Sequence, residues 1–420
     1  MHIDFNSYFA TCEQQDRPSF RGRPLGVCEH LGGIIIAPSI EAKRWGIKTG
    51  TPVWEARRLY PKIILTPTTP SRYRYYTGKF LKVLGDYTDQ VDKYSIDEAF
   101  LDVTKATNIR RRLAGGSGQW RAVDPFEEAR AMALEIKRRI TREVGDYLKV
   151  SVGLGWNKLV AKICSDLQKP NGLVVARPED KPWLYERLKL TDIPGIAWRQ
   201  EQNLNKLGIK TVADLRDYPV SKLVAHFGIM GYHLHRMGQF EGSWKENFEE
   251  DEAIKSMGHM YTMPQKYRRR EVLEPVLYKL SEMVGARLRA NGLMGSSVHA
   301  HVHDADDNCY GKGRRLGYYL SDGRDIFLEA KSLLAAFDVP IKLVGVTVSG
   351  LSELAHQQSL FPRDEKQRRV VPALDRINEK YDDFTITRVP AFLARDIIRD
   401  SIGFGRMKEF KTLGRFVGVH

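Results

Sequence analysis

Asp97 and Glu98 stand side by side in KYSIDEAFLDV (Lys93–Val103), two like charges between runs that otherwise alternate as half-buried β-strand. VDKYSI and AFLDV read as a hairpin with both acids at or beside its tight turn and their side chains leaving on opposite sides. Alone, that pair fits a solvated turn as well as a reaction site. Asp4 changes the balance: it ends another apolar strand, HIDF, where a charge is costly to bury unless it is paired or bound to metal. If the two strands are neighbours, three carboxylates meet at one point, and divalent cations would offset their repulsion. Hard oxygen ligands without a nearby His or Cys select magnesium or manganese over zinc. Two such ions serve in-line phosphoryl transfer, one activating the attacking oxygen and one holding the leaving pyrophosphate.

The elements that must position these acids are legible in part. HIDFNSYFA (His2–Ala10) begins as a short strand and passes into an aromatic and small-residue turn. GGIIIAPS (Gly32–Ser39) is a buried-strand run, and SIEAKRWGIKTG then reads as one short helix stopped at Gly46. Asp124 before Pro125, with Glu127 and Glu128 behind them, marks a helix start; Ala129, Ala133, Ile136, Ile140 and Val144 continue one apolar face. LKVSVGLG follows as a strand, and Asn157 caps a helix through Cys164. LTDIPGIAWRQEQNLNKLGIKTVADL (Leu190–Leu215) reads as two helices about a Pro-Gly turn, then Gly208 and a second turn. From Lys255 the pattern changes again, to a helix near Glu274–Asn291 and the strands SSVHAHVHD, CYGKGRRLGYYL and IKLVGVTVSGL. The Gly-rich, basic stretch near 105–123 reads as an insertion, the acidic 244–254 as a linker, and 353–420 as a polar tail in which VVPALDRINEKY forms one short amphipathic helix. No internal repeat is apparent.

At 420 residues the chain exceeds what a single core supports, and several domains are expected. No stretch approaches the roughly 20 apolar residues of a membrane span, and Asp4, Asn6 and Glu13 interrupt the first segment too early for a signal peptide. Cys12, Cys28, Cys164 and Cys309 are scattered without metal-ligand spacing, which fits a reduced cytoplasm. Lys and Arg outnumber Asp and Glu by 66 to 52, for a net charge of +14, and that excess favours a polyanionic partner.

IDFNSYFATCE, IAPSIEAKRWGIKTGTP, YSIDEAFLDVT and SVGLGWNKLVAKICSDLQKPNGL, in this order and spacing, resemble the catalytic motifs of the Y-family, or translesion, DNA polymerases. The resemblance runs from Met1 to about Leu351. It implies an α+β, right-handed polymerase with a solvent-open active site. By position it implies a palm at 1–10 and 69–176, fingers at 11–68, a thumb at 177–243 and a little finger at 255–352. It further implies that Asp4, Asp97 and Glu98 are the metal-binding carboxylates, joined by the Phe5 carbonyl, with two Mg2+ ions for which Mn2+ can substitute. Phe9 matches the steric gate, a ring beneath the sugar that leaves no room for a ribose 2′-hydroxyl, with Tyr8 beside it in the nucleotide site. Lys43 and Lys169 match the residues that hold the incoming triphosphate, a task suited to flexible point charges. Some positions depart from the family pattern. Ile40 stands where many relatives carry Tyr, Lys43 where many carry Arg, and Asn6 where Asp is frequent. Only three residues precede Asp4, so a short first strand or a misplaced start site is expected.

The resemblance also directs attention to nucleic-acid surfaces. IPGIAWRQEQNLNKLGI resembles a helix-hairpin-helix, whose turn at Gly195 would offer backbone N–H groups to a phosphate, although Ala197 replaces the second glycine. Arg268 and Arg269 in QKYRRR, with Arg314 and Arg315 in GKGRR, are expected phosphate contacts. His299, His301 and His303 share a strand face, but same-face residues about 6.5–7 Å apart cannot all reach one ion, so they read as a polar stripe. AHQQSLFP resembles the bacterial sliding-clamp peptide, with Gln357 at a groove rim and Leu360 and Phe361 in an apolar pocket. The expected partners are primer–template DNA, deoxynucleoside triphosphates and a sliding clamp, for a monomer working in the bacterial cytoplasm at the nucleoid. A catalytically weak or inactive polymerase-shaped accessory protein is the alternative. A nucleotidyl cyclase would explain Asp4 and Asp97 but not the thumb or the basic last domain.

Overall fold

The computed structural model describes residues 1–31, 33–106, 124–242, 254–267, 270–304, 306, 308–334, 340–353, 362–381, 384–395 and 397–398. They divide into two compact units, one within Met1–Glu250 and one within Asp251–Asp400. Most of the basic insertion, the linker up to residue 253, Arg268, Arg269 and the clamp-like Gln357, Leu360 and Phe361 lie outside the described residues.

The first unit begins with β1 (His2–Phe5) and α1 (Tyr8–Asp16). The expected turn after the strand is therefore a helix. Its residues from Tyr8 to Gln14 are all buried, so it carries no polar face for a sequence pattern to register. Next come β2 (Leu25–Cys28), β3 (Ile35–Pro38), α2 (Ile40–Lys43), α3 (Val53–Leu59) and β4 (Ile64–Thr66). The three strands form a small sheet in the order β3-β2-β4. In α2 the Ser39 hydroxyl accepts from the Ala42 N–H at 3.2 Å, an N-cap that starts the helix at Ile40 and sets where Lys43 falls.

After α4 (Pro70–Gly85) the chain makes the hairpin of β5 (Val91–Lys93) and β6 (Glu98–Leu101). There follow α5 (Pro125–Arg139), β7 (Val150–Leu154), α6 (Lys158–Leu167) and β8 (Leu173–Val175). These strands make one sheet, β5-β6-β1-β7-β8. β7, flanked by the central strand β1 and by β8, is buried at every residue, which is why VSVGL reads as a continuous run. Ile3 and Phe5 pack into the core with Phe80, Met132 and Ile136, while His2 and Asp4 alternate to the opposite face, under α6. That helix lies unusually close. A Cβ on Gly153 would stand 2.0 Å from the Ala161 carbonyl, so only glycine lets α6 approach. Asn157 caps α6 by accepting from the Val160 N–H at 2.9 Å.

Helices α7 (Lys181–Arg187), α8 (Trp198–Lys206), α9 (Val212–Asp217), α10 (Val220–Phe227) and α11 (Ile229–Gly238) complete the described part of this unit. The element just before the Pro-Gly turn is only a 3-10 turn, Leu190–Asp192, and Gly195 takes a φ of 99°, a left-handed conformation that favours glycine.

The second unit holds β9 (Ser256–Tyr267), α12 (Arg270–Ala290), β10 (Leu293–His303), β11 (Cys309–Leu320), α13 (Gly323–Leu334) and β12 (Ile341–Glu353). The sheet order is β11-β10-β12-β9. Val298, Ala300 and Val302 face the helices, so His299, His301 and His303 lie on the other side, with ring centroids 5.7 and 5.9 Å apart. Two further helices, α14 (Pro362–Tyr381) and α15 (Val389–Leu393), occupy what the sequence presents as a tail. Ala391, Ala394 and Ile398 are buried in this unit's core, and Arg289 pairs with Asp375 at 2.6 Å. The sparse, small apolar residues of this segment hide that role from a periodicity reading. No described helix is long and apolar enough to cross a membrane.

Candidate active site

The β1–β6 ladder sets Asp4 directly opposite Glu98, and the Phe5 N–H donates to the Asp97 carbonyl at 3.0 Å. The two acid-bearing segments are thus neighbours. A cleft of about 680 Å³ opens at this end of the sheet, lined by Asp4, Phe5, Phe9, Lys43, Asp97 and Lys169 among others. Glu98 is not among the lining residues. Among the described residues no three metal-ligating side chains converge on one point, contrary to the expected meeting of all three acids. Each acid meets its charge differently. Asp4 Oδ1 takes Lys169 Nζ at 2.8 Å, Asp97 Oδ1 takes the Ser95 hydroxyl at 2.6 Å, and Glu98 Oε2 takes both His2 Nε2 at 3.1 Å and Lys162 Nζ. The sequence reading placed no His near the acids, and His2 is one.

Protonation follows those partners. Burial raises the Asp97 carboxyl to about 6, and the Asp4 charge adds to it. Burial also raises Asp4, with Lys169 opposing. For Glu98, burial is outweighed by the His2 hydrogen bond and the Lys162 charge, and its pKa falls to about 2. Lys43 is lowered by burial and by the nearby Lys169. Asp4, paired with Lys169, and Asp97, whose carboxylate is met only by the Ser95 hydroxyl among the described residues, form a donor set of hard oxygens with the Phe5 backbone at the strand end beside them, and this set fits magnesium or manganese.

Asp97 should therefore cost the protein stability. Its folded pKa of about 6 lies above the ordinary carboxyl value, so the ionised form opposes folding increasingly as pH rises from about 4 to 6, and fully above that. Asp97→Asn, measured in chelator, should melt a few degrees above wild type at pH 8, with the gain fading toward pH 4. Equal melting temperatures at pH 8 would contradict this electrostatic picture.

The floor of the cleft is aromatic. Phe9 stacks on Tyr73 with ring centroids 4.2 Å apart and planes 7° apart, and the Tyr73 hydroxyl donates to buried Glu13 at 2.7 Å. Tyr8 turns its hydroxyl inward, to the Tyr73 carbonyl at 2.7 Å and Thr77 Oγ1 at 2.8 Å, so that group is not offered to a ligand. Ile40 and Arg44 line the cleft beside Lys43; Arg44 escaped the sequence reading although it is the next residue. Asn6, which the sequence marks only as a departure from the family pattern, proves to be a tether. Its Oδ1 accepts from the Asn171 N–H at 2.7 Å and its Nδ2 donates to Ser151 at 3.0 Å, tying the loop that carries Lys169 to the end of β1.

In the second unit Arg314 and Arg315 part company. Arg314 pairs with Glu329 of α13 at 3.1 Å, whereas Arg315, opposite Ser297 in the β10–β11 ladder, shares the histidine face. Adjacent strand residues cannot serve one surface together.

Comparison with known proteins agrees across the chain. The impB/mucB/samB family model matches residues 3–166, and the model of that family's C-terminal domain matches residues 254–360. A model described as the DNA polymerase-iota thumb domain matches residues 191–239. The chain is 35% identical to a DNA polymerase IV of Moorella thermoacetica, over 94% of this chain and 96% of that protein. It is 31% identical to one of Pelotomaculum thermopropionicum, over 95% and 97%. Among solved structures, a chimera of the Y-family polymerases Dbh and Dpo4 superposes with a TM-score of 0.70 at 27% identity, covering 83% of this chain and 97% of the other. An insertion ternary complex of Dbh gives 0.56 at 25% identity, with 83% and 98% covered.

Proposed function

Because the chain belongs to the impB/mucB/samB family of Y-family DNA polymerases and is a DNA-directed DNA polymerase, we propose that its cleft adds deoxynucleotides to a primer 3′ end by two-metal phosphoryl transfer across damaged templates. The observation that carries this reading is the pair of largely enclosed carboxylates, Asp4 and Asp97, lining one cleft together with Lys43 and with Lys169, which contacts Asp4 at 2.8 Å. In it, Asp4, Asp97 and the Phe5 carbonyl would hold magnesium from the cleft, and Glu98, opposite Asp4 in the β1–β6 ladder but outside the cleft lining, would join them through Oε1. Bound there, the ions would lower the barrier by stabilising charge on the attacking and leaving oxygens. The protein's own part is placement. Lys43 and Lys169 neutralise and orient the triphosphate, and Phe9, braced by Tyr73, bounds the space beneath the sugar. An accessory protein with no catalytic duty would have no reason to keep acids that raise its own folding cost.

Primer extension with magnesium on undamaged and abasic templates tests the proposal. Extension on both is expected; a protein that binds primed DNA yet extends neither would favour the accessory reading.

DNA contact by the second unit is assigned here to Arg315 rather than to Arg314, which Glu329 already engages. Arg315→Ala should lower the slope of log K against log salt by about 0.9, the contribution of one phosphate contact, and Arg314→Ala by clearly less. The reverse order would place DNA on the helical side of the sheet.

A further inference from the structure

We propose that His2 and Lys162 are positioning residues for Glu98: they hold one carboxylate oxygen from the α6 side and leave the other as the only ligand atom it presents. The proposal rests on the reading of Glu98 as a cation ligand.

The fold brings these groups together. His2 and Asp4 alternate onto one face of β1, and antiparallel pairing sets His2 opposite Phe100 and Asp4 opposite Glu98 on that same face. Over it lies α6, drawn close by Gly153, with Lys162 and Ser165 on its underside. His2 is fully buried, its ring 4.4 Å from that of Phe100. A buried imidazole must satisfy both nitrogens, and here the partners are Ser165 Oγ, 2.8 Å from Nδ1, and Glu98 Oε2, 3.1 Å from Nε2. The carboxylate can only accept, so Nε2 carries the proton; Ser165 Oγ lies 2.8 Å from both Nδ1 and the Lys162 carbonyl, to which its single proton is donated, and it closes the network on the Nδ1 side.

Lys162 Nζ reaches the same oxygen and lies 5.0 Å above the Tyr94 ring, which fixes the lysine in turn. Both donors meet on Oε2, and among the described residues Oε1 receives none. A glutamate held in this way has spent its rotamer freedom before any ligand arrives, and it has one oxygen left to offer. Groups of this kind, which touch a ligand residue rather than the ligand, commonly change metal affinity or activity by about 10- to 100-fold. A histidine serving only to fill space would not need an acid at Nε2.

The test uses the full chain with primed DNA and a non-hydrolysable deoxynucleotide, titrated with Mn2+ and followed by electron paramagnetic resonance, alongside steady-state kcat and KM and thermal melting. His2→Phe keeps the volume and loses both hydrogen bonds, His2→Gln keeps an amide donor near Nε2, and Lys162→Met removes the charge. His2→Phe and Lys162→Met should weaken Mn2+ binding by about 10-fold and lower kcat comparably, with KM for the nucleotide changed by less than about 2-fold, and His2→Gln should recover most of the loss. Wild-type Mn2+ binding and kcat in His2→Phe would overturn the proposal, as would equal defects in the Gln and Phe variants. Should His2→Phe fail to fold, Lys162→Met decides. Glu98→Ala separates the two levels of inference: if it binds Mn2+ as wild type does, the ligand reading itself falls. A defective Glu98→Ala beside a normal His2→Phe removes only the positioning role.

Discussion

Asp97→Ala is expected to abolish primer extension, with kcat down by at least about 10³-fold, the scale on which removing one preorganised electrostatic group acts. Glu98→Ala should do the same. The basis is the placement of the two acids: Asp97 lines the cleft beside Asp4, and Glu98 lies directly across the ladder from Asp4, on the same strand pair. Binding of primed DNA should stay within about 2-fold of wild type, because the phosphate contacts proposed above fall to basic residues such as Arg315 rather than to these acids. Folding should survive too. Asp97 is a buried acid that burial and Asp4 hold near a pKa of 6, so its removal relieves a cost rather than creating one. Single-turnover extension, filter binding and melting on one preparation separate these effects. Undiminished extension by the Glu98→Ala protein would sink the assignment of that residue.

The second large effect is on sugar selection. Phe9 is nearly buried, lines the cleft and stacks flat on Tyr73, whose hydroxyl is anchored on Glu13. A ring so braced cannot swing aside, and it makes a fixed wall. Phe9→Ala should admit ribonucleotides, lowering the deoxy- over ribonucleotide ratio of kcat/KM by about 10²-fold, the range over which a shaped apolar wall rejects one added hydroxyl. The variant also loses a core side chain, at a cost of about 3–5 kcal/mol, so Phe9→Leu is the control that retains bulk. The ratio is measured by single-nucleotide insertion of each sugar. An unchanged ratio in a folded Phe9→Ala protein would place the gate elsewhere.

How far the sequence reaches is clear from individual residues. Asp4, Asp97, Lys43 and Lys169 line one cleft although they are separated by as much as 165 positions, and motif order carries that information. The strand 150–154 and the Asn157 cap are local, and local rules find them. What stays hidden is non-local or lacks periodicity. The helix Tyr8–Asp16 is buried from Tyr8 to Gln14 and enters through Ser7 at a φ of 54°, which no pattern of polar and apolar residues announces. The strand Ser256–Tyr267 carries Gly258 and Pro264, interruptions tolerated because it lies at the sheet edge. His2 looks like any residue of a short strand until Ser165 and Glu98 are brought to its two nitrogens. Adjacency in sequence also could not say that Asp97 lines the cleft while Glu98 is held beside it by His2 and Lys162.

Lys169 grips Asp4 at 2.8 Å and Asp166 at 2.7 Å, and the same ammonium is assigned to the triphosphate. One ammonium cannot fully serve all three. A nucleotide that draws Lys169 toward its phosphates must loosen it from Asp4 and uncover a carboxylate oxygen for a cation; a cation that takes Asp4 first releases Lys169 for the nucleotide. On the proposed roles of Lys169 and Asp4 the two ligands would bind with positive cooperativity, and by thermodynamic reciprocity each would tighten the other by the same factor. Selectivity for a complete substrate would in that case begin before chemistry, since a triphosphate without its metal, or a metal without its triphosphate, meets a lysine still holding the aspartate closed.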